Sequence, residues 1–596
     1  MNIMERSATL FLLMQLLLFL IATAVLISTA AVHARESRPN VILVMTDDQG
    51  YGDLGCLGNP ILKTPNLDQL HGESVRFTDF HVSSFCTPTR AALMTGRHPG
   101  RTGAYRTSSG RTMMHPDERT IANVFADGGY ATGMVGKWHL GDNAPHRPMD
   151  RGFQDVVWHR CGGVGQASDY WGNDYFDDVY DRNGTYEKFN GYCTDVWFSE
   201  AERFVEKNKD KPFFLYLALN APHGPYIVDP NWSAPYQKTA PWRNGANFYG
   251  MIANIDHNVG LLRERLRILE LGEDTIFIFM TDNGTSAGAS FDGPALTSWA
   301  KQGYNAGMRG RKSSVYEGGH RVPFFIYWPA GGIGGKGEAR DVDHLAAHLD
   351  VLPTLAELCG VSLTEAHHPD GVSFAASCRH AAAPPHRENL VIQFQGGAHF
   401  RDSPKPWNDS AVLKDDWRLI NGTELYELKS DPGQRTDVAA EHPEVVAELR
   451  ALYEPFWEEV SPRMTPVAID LGNLAENPTV LCSQDWYLPK GNPPWNFSSI
   501  KRLPRVTGPW HVEVRQAGRY RITLRQFPAA ADKPVVAVRA KLLIAGREAE
   551  SEVDAGTKGV PFEMELPAGK TTLETWLYDK AGKAGGAYFT EVELLQ

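Results

Sequence analysis

Asn40-Val41-Ile42-Leu43-Val44-Met45 is an unbroken apolar run that stops at Thr46-Asp47-Asp48. A strand with one face in water would alternate polar and apolar residues, so this run predicts a strand buried on both faces, as in a parallel sheet covered by helices. A second run, Thr275 to Met280, ends in the same way at Thr281-Asp282-Asn283, and a third, from Pro212 to Leu219, ends near Asn220-Ala221-Pro222-His223. Helical patterns at 194–208 and 247–271 lie between them. The alternation predicts a doubly wound α/β domain over residues 38–400, built on a large mixed sheet with its functional groups at the carboxyl ends of the strands.

Further along the chain the pattern changes. Trp417 to Ile420, the turn Asn421-Gly422 and Glu424 to Leu428 read as a hairpin, and a helical stretch follows over 443–460, so residues 401–484 are expected to form a small α+β subdomain. After a Pro- and Trp-rich connection from Asp485 to Trp495, short alternating strands such as Trp510 to Arg515 and Tyr520 to Arg525 predict an appended β-sandwich over 500–596, with Trp510, Tyr520 and Trp576 in its core and edges.

At the other end, Arg6, the apolar run Leu10 to Ile27 and small residues up to Ala34 match a signal peptide over 1–34, which implies a secreted or periplasmic protein with no stable membrane partner after cleavage. The run is long for a signal, so an N-terminal membrane anchor is the competing reading. The net charge of −12 is spread without a basic block, which argues against a nucleic-acid partner. Seven cysteines in 596 residues are too few for a disulfide framework; Cys161 and Cys193 are the expected pair, if any.

Asp47, Asp48, Asp282 and Asn283 supply only hard oxygen donors, a set that suits calcium or magnesium rather than zinc, although an Asp pair at a strand end is also a common helix cap. The segment that settles the chemistry is Ser83-Ser84-Phe85-Cys86-Thr87-Pro88-Thr89-Arg90, followed by Leu93-Met94-Thr95-Gly96-Arg97. Here the chain resembles the type I, formylglycine-dependent sulfatases of the alkaline phosphatase superfamily. The likeness continues in family order through Gly136-Lys137-Trp138-His139-Leu140-Gly141, Ala221-Pro222-His223, Thr281-Asp282-Asn283-Gly284, Arg309 to Lys312 and Tyr316 to Gly319.

That resemblance implies an exported enzyme that hydrolyses sulfate esters, with Cys86 oxidised to formylglycine by a separate maturation enzyme. It implies one calcium ion held by Asp47, Asp48, Asp282, Asn283 and the modified Cys86. One hydroxyl of the hydrated aldehyde would attack sulfur, and the other, deprotonated by His139, would expel sulfate from the covalent intermediate. Lys137 and Lys312 would clamp the sulfate, Arg90 would hold the diol, and His223, in part with Lys312, would protonate the leaving oxygen. His159, after Gly152-Phe153, is a further candidate for the sulfate pocket, and Trp171, Trp242 and Trp299 are candidates for sugar contact. Asn283-Gly284-Thr285 also matches a glycosylation sequon, which is incompatible with Asn283 as a ligand. The expected substrate is a sulfated small molecule or glycan, with a sulfated carbohydrate favoured. Two alternatives stay open at this point: a phosphonate or phosphodiester hydrolase of the same superfamily, and an inactive glycan-binding relative.

Overall fold

A computed structural model describes residues 38–107, 112–364, 367–395, 404–488 and 491–595. The predicted signal peptide lies outside the described residues. Among those described, no helix is long and apolar enough to cross a membrane.

A ten-stranded mixed sheet forms the centre of the N-terminal domain. Asn40–Thr46 lies in its middle, parallel to Thr275–Thr281 on one side and Phe213–Ala218 on the other; Ala131–Lys137 and Asp155–His159 extend the parallel set. The central strand is buried along its whole length, and successive side chains go to opposite faces. Val41, Leu43 and Met45 enter one core with Leu93, Ile121 and Leu355, while Ile42 and Val44 enter a second with Trp197, Met251 and Val259. Both faces are therefore apolar, which is why the sequence shows no alternation.

Ala131–Lys137 can pack against its neighbour only through glycine. Gly136 has φ 104°, and a Cβ there would stand 2.0 Å from the carbonyl oxygen of Ala218. This close approach brings Lys137 alongside the end of the central strand.

Four antiparallel strands, Asn389–Gln393, Ser410–Lys414, Trp417–Ile420 and Glu424–Glu427, pack one face on the helix Pro443–Val460. The opposite face meets Val315, Tyr316 and Leu349 of the main domain. The predicted hairpin and helix are both present, and the sheet begins at Asn389, earlier than residue 401.

The C-terminal part consists of a six-stranded and a four-stranded sheet that share one core, with Trp510 and Tyr520 inside it and Trp576 half-buried. It too starts earlier than the sequence suggests. Ile469–Leu471 pairs in parallel with Trp510–Val514, and Thr479–Cys482 pairs with Phe589–Leu594. These two short strands fall within 401–484, where the α+β subdomain was expected. Three or four residues carry too little periodicity to show which distant strand they join.

Candidate active site

Four strand ends converge. Asp47 and Asp48 follow the central strand, and the parallel register that runs from Asn40 opposite Thr275 to Thr46 opposite Thr281 places Asp282 and Asn283 beside them. Lys137 ends its strand, with His139 two residues on, and His223 follows Phe213–Ala218. Cys86 is the first residue of the fully buried helix Cys86–Thr95, whose amino end favours negative charge. Asp48 and His139 both take left-handed backbone conformations, with φ of 66° and 59°, a strain that tends to concentrate at functional positions.

The acidic groups are arranged for a cation. One ligand atom each from Asp47, Cys86 and Asp282 lie within 4.8 Å of one another, all buried. Oδ1 of Asp47 and Oδ1 of Asn283 are buried with no hydrogen-bond partner, an expense that an oxygen-seeking ion would remove. Burial, and then the neighbouring Asp47 carboxylate, push Asp282 up to about 7. Two adjacent buried carboxylates that resist sharing negative charge fit a bound cation. Asp47, Asp48, Asp282 and Asn283 are thus brought together, and the donor chemistry fits a metal ion. Asn283 is fully buried, so its sequon is closed to a glycan.

Three cations face these three carboxylates. Nζ of Lys137 lies 2.6 Å from Asp47, and Nζ of Lys312 lies 2.6 Å from Asp48 Oδ1. Burial alone would raise Asp48, but Lys312 and His223 outweigh it and hold the carboxyl well below the usual range. Burial opposes the charge on Lys312, yet Asp48 keeps its pKa above normal, so it stays an ammonium. Arg90 is fully buried. It donates from Nη2 at 2.9 Å and from Nε at 3.2 Å to Asp282 Oδ2, and from Nη1 to the carbonyl of Lys137 at 3.0 Å. Its hydrogen bonds fix the Asp282 carboxylate, which belongs to the same buried group as Cys86.

His139 Nδ1 lies 3.4 Å from Cys86 Sγ and 3.2 Å from Thr87 Oγ1, and its Nε2 is buried without a partner. Burial first, and Lys137 next, hold its pKa well below normal, so the ring is neutral and able to accept a proton. His223 donates from Nδ1 to the carbonyl of Gly224 at 2.6 Å, and its Nε2 faces Asp48 at 3.7 Å. Burial pulls it down to about 4, against the opposing pull of Asp48. His159 pairs in register with Lys137 and is buried, with Nδ1 on the carbonyl of Arg160. It stands beside the lysine, and neither of the two lines the cavity above Cys86.

That cavity, of about 270 Å³, opens over Cys86, His139, His223 and Lys312 and continues into a second of about 660 Å³ that shares His223, Lys312, Gln166 and Trp495. One wall consists of Gln484, Asn492, Pro493 and Trp495. The sequence reading treated that stretch as a connection between domains, and nothing local to it signals otherwise. The three tryptophans it did single out are engaged elsewhere: Trp171 packs on Phe497 and Phe527, Trp242 donates to the carbonyl of Ala287, and Trp299 donates to that of Gly433. The expected Cys161–Cys193 bridge is absent and both thiols are free. Cys161 bonds to Gln484, and Cys193 to Asn220 at 3.1 Å, because the two sit in separate hydrogen-bonding pockets.

Residues 39–361 match the Sulfatase family. The chain is 31% identical to arylsulfatase A of Homo sapiens over 493 residues, covering 72% of this chain and 90% of that protein. It is 27% identical to an N-acetylgalactosamine-6-O-sulfatase of Bacteroides thetaiotaomicron, covering 70% and 93%. Among solved structures, that of Ps i-CgsB in complex with k-i-k-neocarrahexaose is similar with a TM-score of 0.61 and 28% identity, covering 72% of this chain and 94% of that one.

Proposed function

Since the chain belongs to the sulfatase family and is a sulfuric ester hydrolase, we propose that it desulfates a carbohydrate through a formylglycine made from Cys86 and a calcium ion held by Asp47, Asp48, Asp282 and Asn283. The observation that carries this reading is the buried group of Asp47, Asp282 and Cys86, with the unpartnered oxygens of Asp47 and Asn283 beside it. The ion would supply charge for the sulfate oxygens and lower the pKa of the residue-86 hydrate. The hydrated aldehyde would offer one hydroxyl to attack sulfur and a second whose deprotonation releases sulfate.

The chain's own side chains do the rest. Lys137 and Lys312 are anchored on carboxylates, so their ammonium groups are fixed in place for the sulfate oxygens at little entropic cost. His139, neutral and in contact with residue 86, takes the proton in the release step. Lys312 lines the cavity and stays an ammonium, so it has a proton for the leaving oxygen; His223 beside it shares the role once its Nε2 is protonated, a form that the Asp48 carboxylate 3.7 Å away favours. Three carboxylates and three basic side chains balance, so a dication would leave the pocket net positive and attractive to an anionic ester. A carbohydrate substrate is supported by the names of the relatives, which include an N-acetylgalactosamine-6-O-sulfatase and a structure bound to a neocarrahexaose. Residues 1–34 would direct export, where such glycans occur. The oxidation of Cys86 requires a maturation enzyme as a transient partner.

The test uses protein from a host competent for formylglycine formation. Mass spectrometry of the peptide containing residue 86 should show a loss of about 18 Da relative to cysteine. Sulfate release would be measured on 4-nitrophenyl sulfate, an N-acetylgalactosamine 6-sulfate oligosaccharide and a sulfated neocarrahexaose, with and without calcium. Unmodified Cys86 with full activity would contradict the mechanism, and release from the aryl ester alone would contradict the carbohydrate assignment.

A further inference from the structure

The C-terminal β part was expected to be an appendage, yet it reaches the active site. Its strand Thr479–Cys482 leads into Gln484, and Asn492, Pro493 and Trp495 follow before the helix Phe497–Lys501; all four residues line the cavity above Cys86. The backbone here is clamped to the main domain. Ala167 N donates to the Trp495 carbonyl at 2.9 Å, Phe497 N donates to Gly165 at 3.0 Å, and Gln166 and Asn496 form a bridge between them.

On this fixed backbone the Trp495 side chain is left 41% exposed, at the junction of the two cavities. Its ring stacks on no other ring among the described residues. A tryptophan held on a rigid backbone and left facing a cleft is a free apolar surface with a polar edge. Beside it, Gly162 N donates to Gln166 Oε1 at 3.1 Å, and Cys161, in a left-handed conformation with φ 68°, has its single thiol proton for Gln484 Oε1. With the oxygens occupied, the amide nitrogens are the ends left for a ligand. Gln166 Nε2 and His223 Nδ1 both lie within 3.6 Å of where a Cβ on Gly163 would stand, so this amide is beside the proposed acid.

We infer that Trp495, Gln166 and Gln484 form the seat of the leaving sugar, and that the C-terminal β part is therefore a component of the active site. The ring face of a pyranose presents C–H groups that suit an indole, and its hydroxyls accept from the two amide nitrogens. The inference rests on the carbohydrate sulfatase reading above. Trp495 acts on substrate recognition and has no part in the sulfur chemistry.

The experiment uses the full chain with residue 86 verified as converted. KM and kcat are measured on the two sulfated oligosaccharides, and the inhibition constant of inorganic sulfate reports on the sulfate pocket alone. Trp495→Ala should raise the ratio of oligosaccharide KM to the sulfate inhibition constant at least tenfold, and Trp495→Phe should stay within about threefold of the parent, as a retained aromatic face predicts. An unchanged ratio, a parallel weakening of sulfate inhibition, or a phenylalanine variant as impaired as the alanine one would overturn the seat. A parent enzyme that hydrolyses 4-nitrophenyl sulfate but neither oligosaccharide would also overturn it while leaving the sulfatase chemistry standing. A converted parent that releases sulfate from none of the three fails at the earlier reading.

Discussion

Arg418 reaches from the small antiparallel sheet into the main domain and joins the buried carboxylate of Glu317 and the half-buried one of Asp79. Its Nε lies 2.9 Å from Glu317 Oε1 and its Nη2 3.1 Å from Asp79 Oδ1, and the guanidinium is 1% exposed as part of the whole residue. Burial would raise Glu317, but Arg418, with smaller help from His81 and His320, outweighs it and holds the carboxyl down at about 2. Asp79 is likewise held below the usual range against burial, chiefly by Arg418. In Arg418→Ala both carboxylates lose their main partner. Removing one member of a buried pair costs about 3–5 kcal/mol. Because Arg321 remains 3.5 Å from Glu317 and His81 remains 2.9 Å from Asp79, the lower end applies, about 3 kcal/mol.

The sign with pH follows from the depressed pKa values. The stabilisation is complete above the unfolded carboxylate pKa of about 4 and is lost as pH falls toward 2. The gap between parent and variant should therefore be full at pH 7 and narrow as pH falls from about 4 toward 2. Urea unfolding followed by tryptophan fluorescence measures it. A loss under about 1 kcal/mol at pH 7, or a gap that is the same at pH 3 as at pH 7, would refute the argument that Arg418 neutralises this pair.

Two further outcomes are expected. His223→Ala should lower kcat on a sugar sulfate, whose leaving alkoxide needs a proton, by about 10²–10⁴, and by less than about tenfold on 4-nitrophenyl sulfate, whose leaving group departs unaided; equal losses on both would remove His223 from the acid role. Chelation with EGTA should lower the melting temperature as well as abolish activity, since Asp47 and Asp282 are left facing each other with two unpartnered oxygens beside them. Calcium should restore both more fully than magnesium if the flexible all-oxygen set is as read, and thermal melts with each ion decide it.

The strands that carry the proposed ligands were legible in the sequence because burial on both faces leaves a local mark. Val41 to Met45 and Ile276 to Met280 have no polar alternation, and they lead into Asp47-Asp48 and Asp282-Asn283. That Cys86, Lys137, His139, His223 and Lys312 fall at one site was legible through motif order. The hairpin at Asn421-Gly422 was legible because a tight turn is a short-range property.

What the sequence could not show depends on contacts between residues far apart in the chain. Ile469–Leu471 and Thr479–Cys482 are too short to announce partners more than forty residues away, so the start of the C-terminal sheets was misplaced. The engagement of Arg90 with Asp282, 192 residues on, and of Arg418 with Glu317 and Asp79 is decided by which strand ends the fold brings together. Cys161 and Cys193 were the expected pair, whereas packing directs one thiol to a glutamine amide and the other to Asn220. Trp495 is the clearest case. In sequence it closes a Pro-rich connection, and only the clamp between residues 165–167 and 495–497 turns it toward Cys86, because local periodicity records burial while a site wall is a matter of three-dimensional juxtaposition.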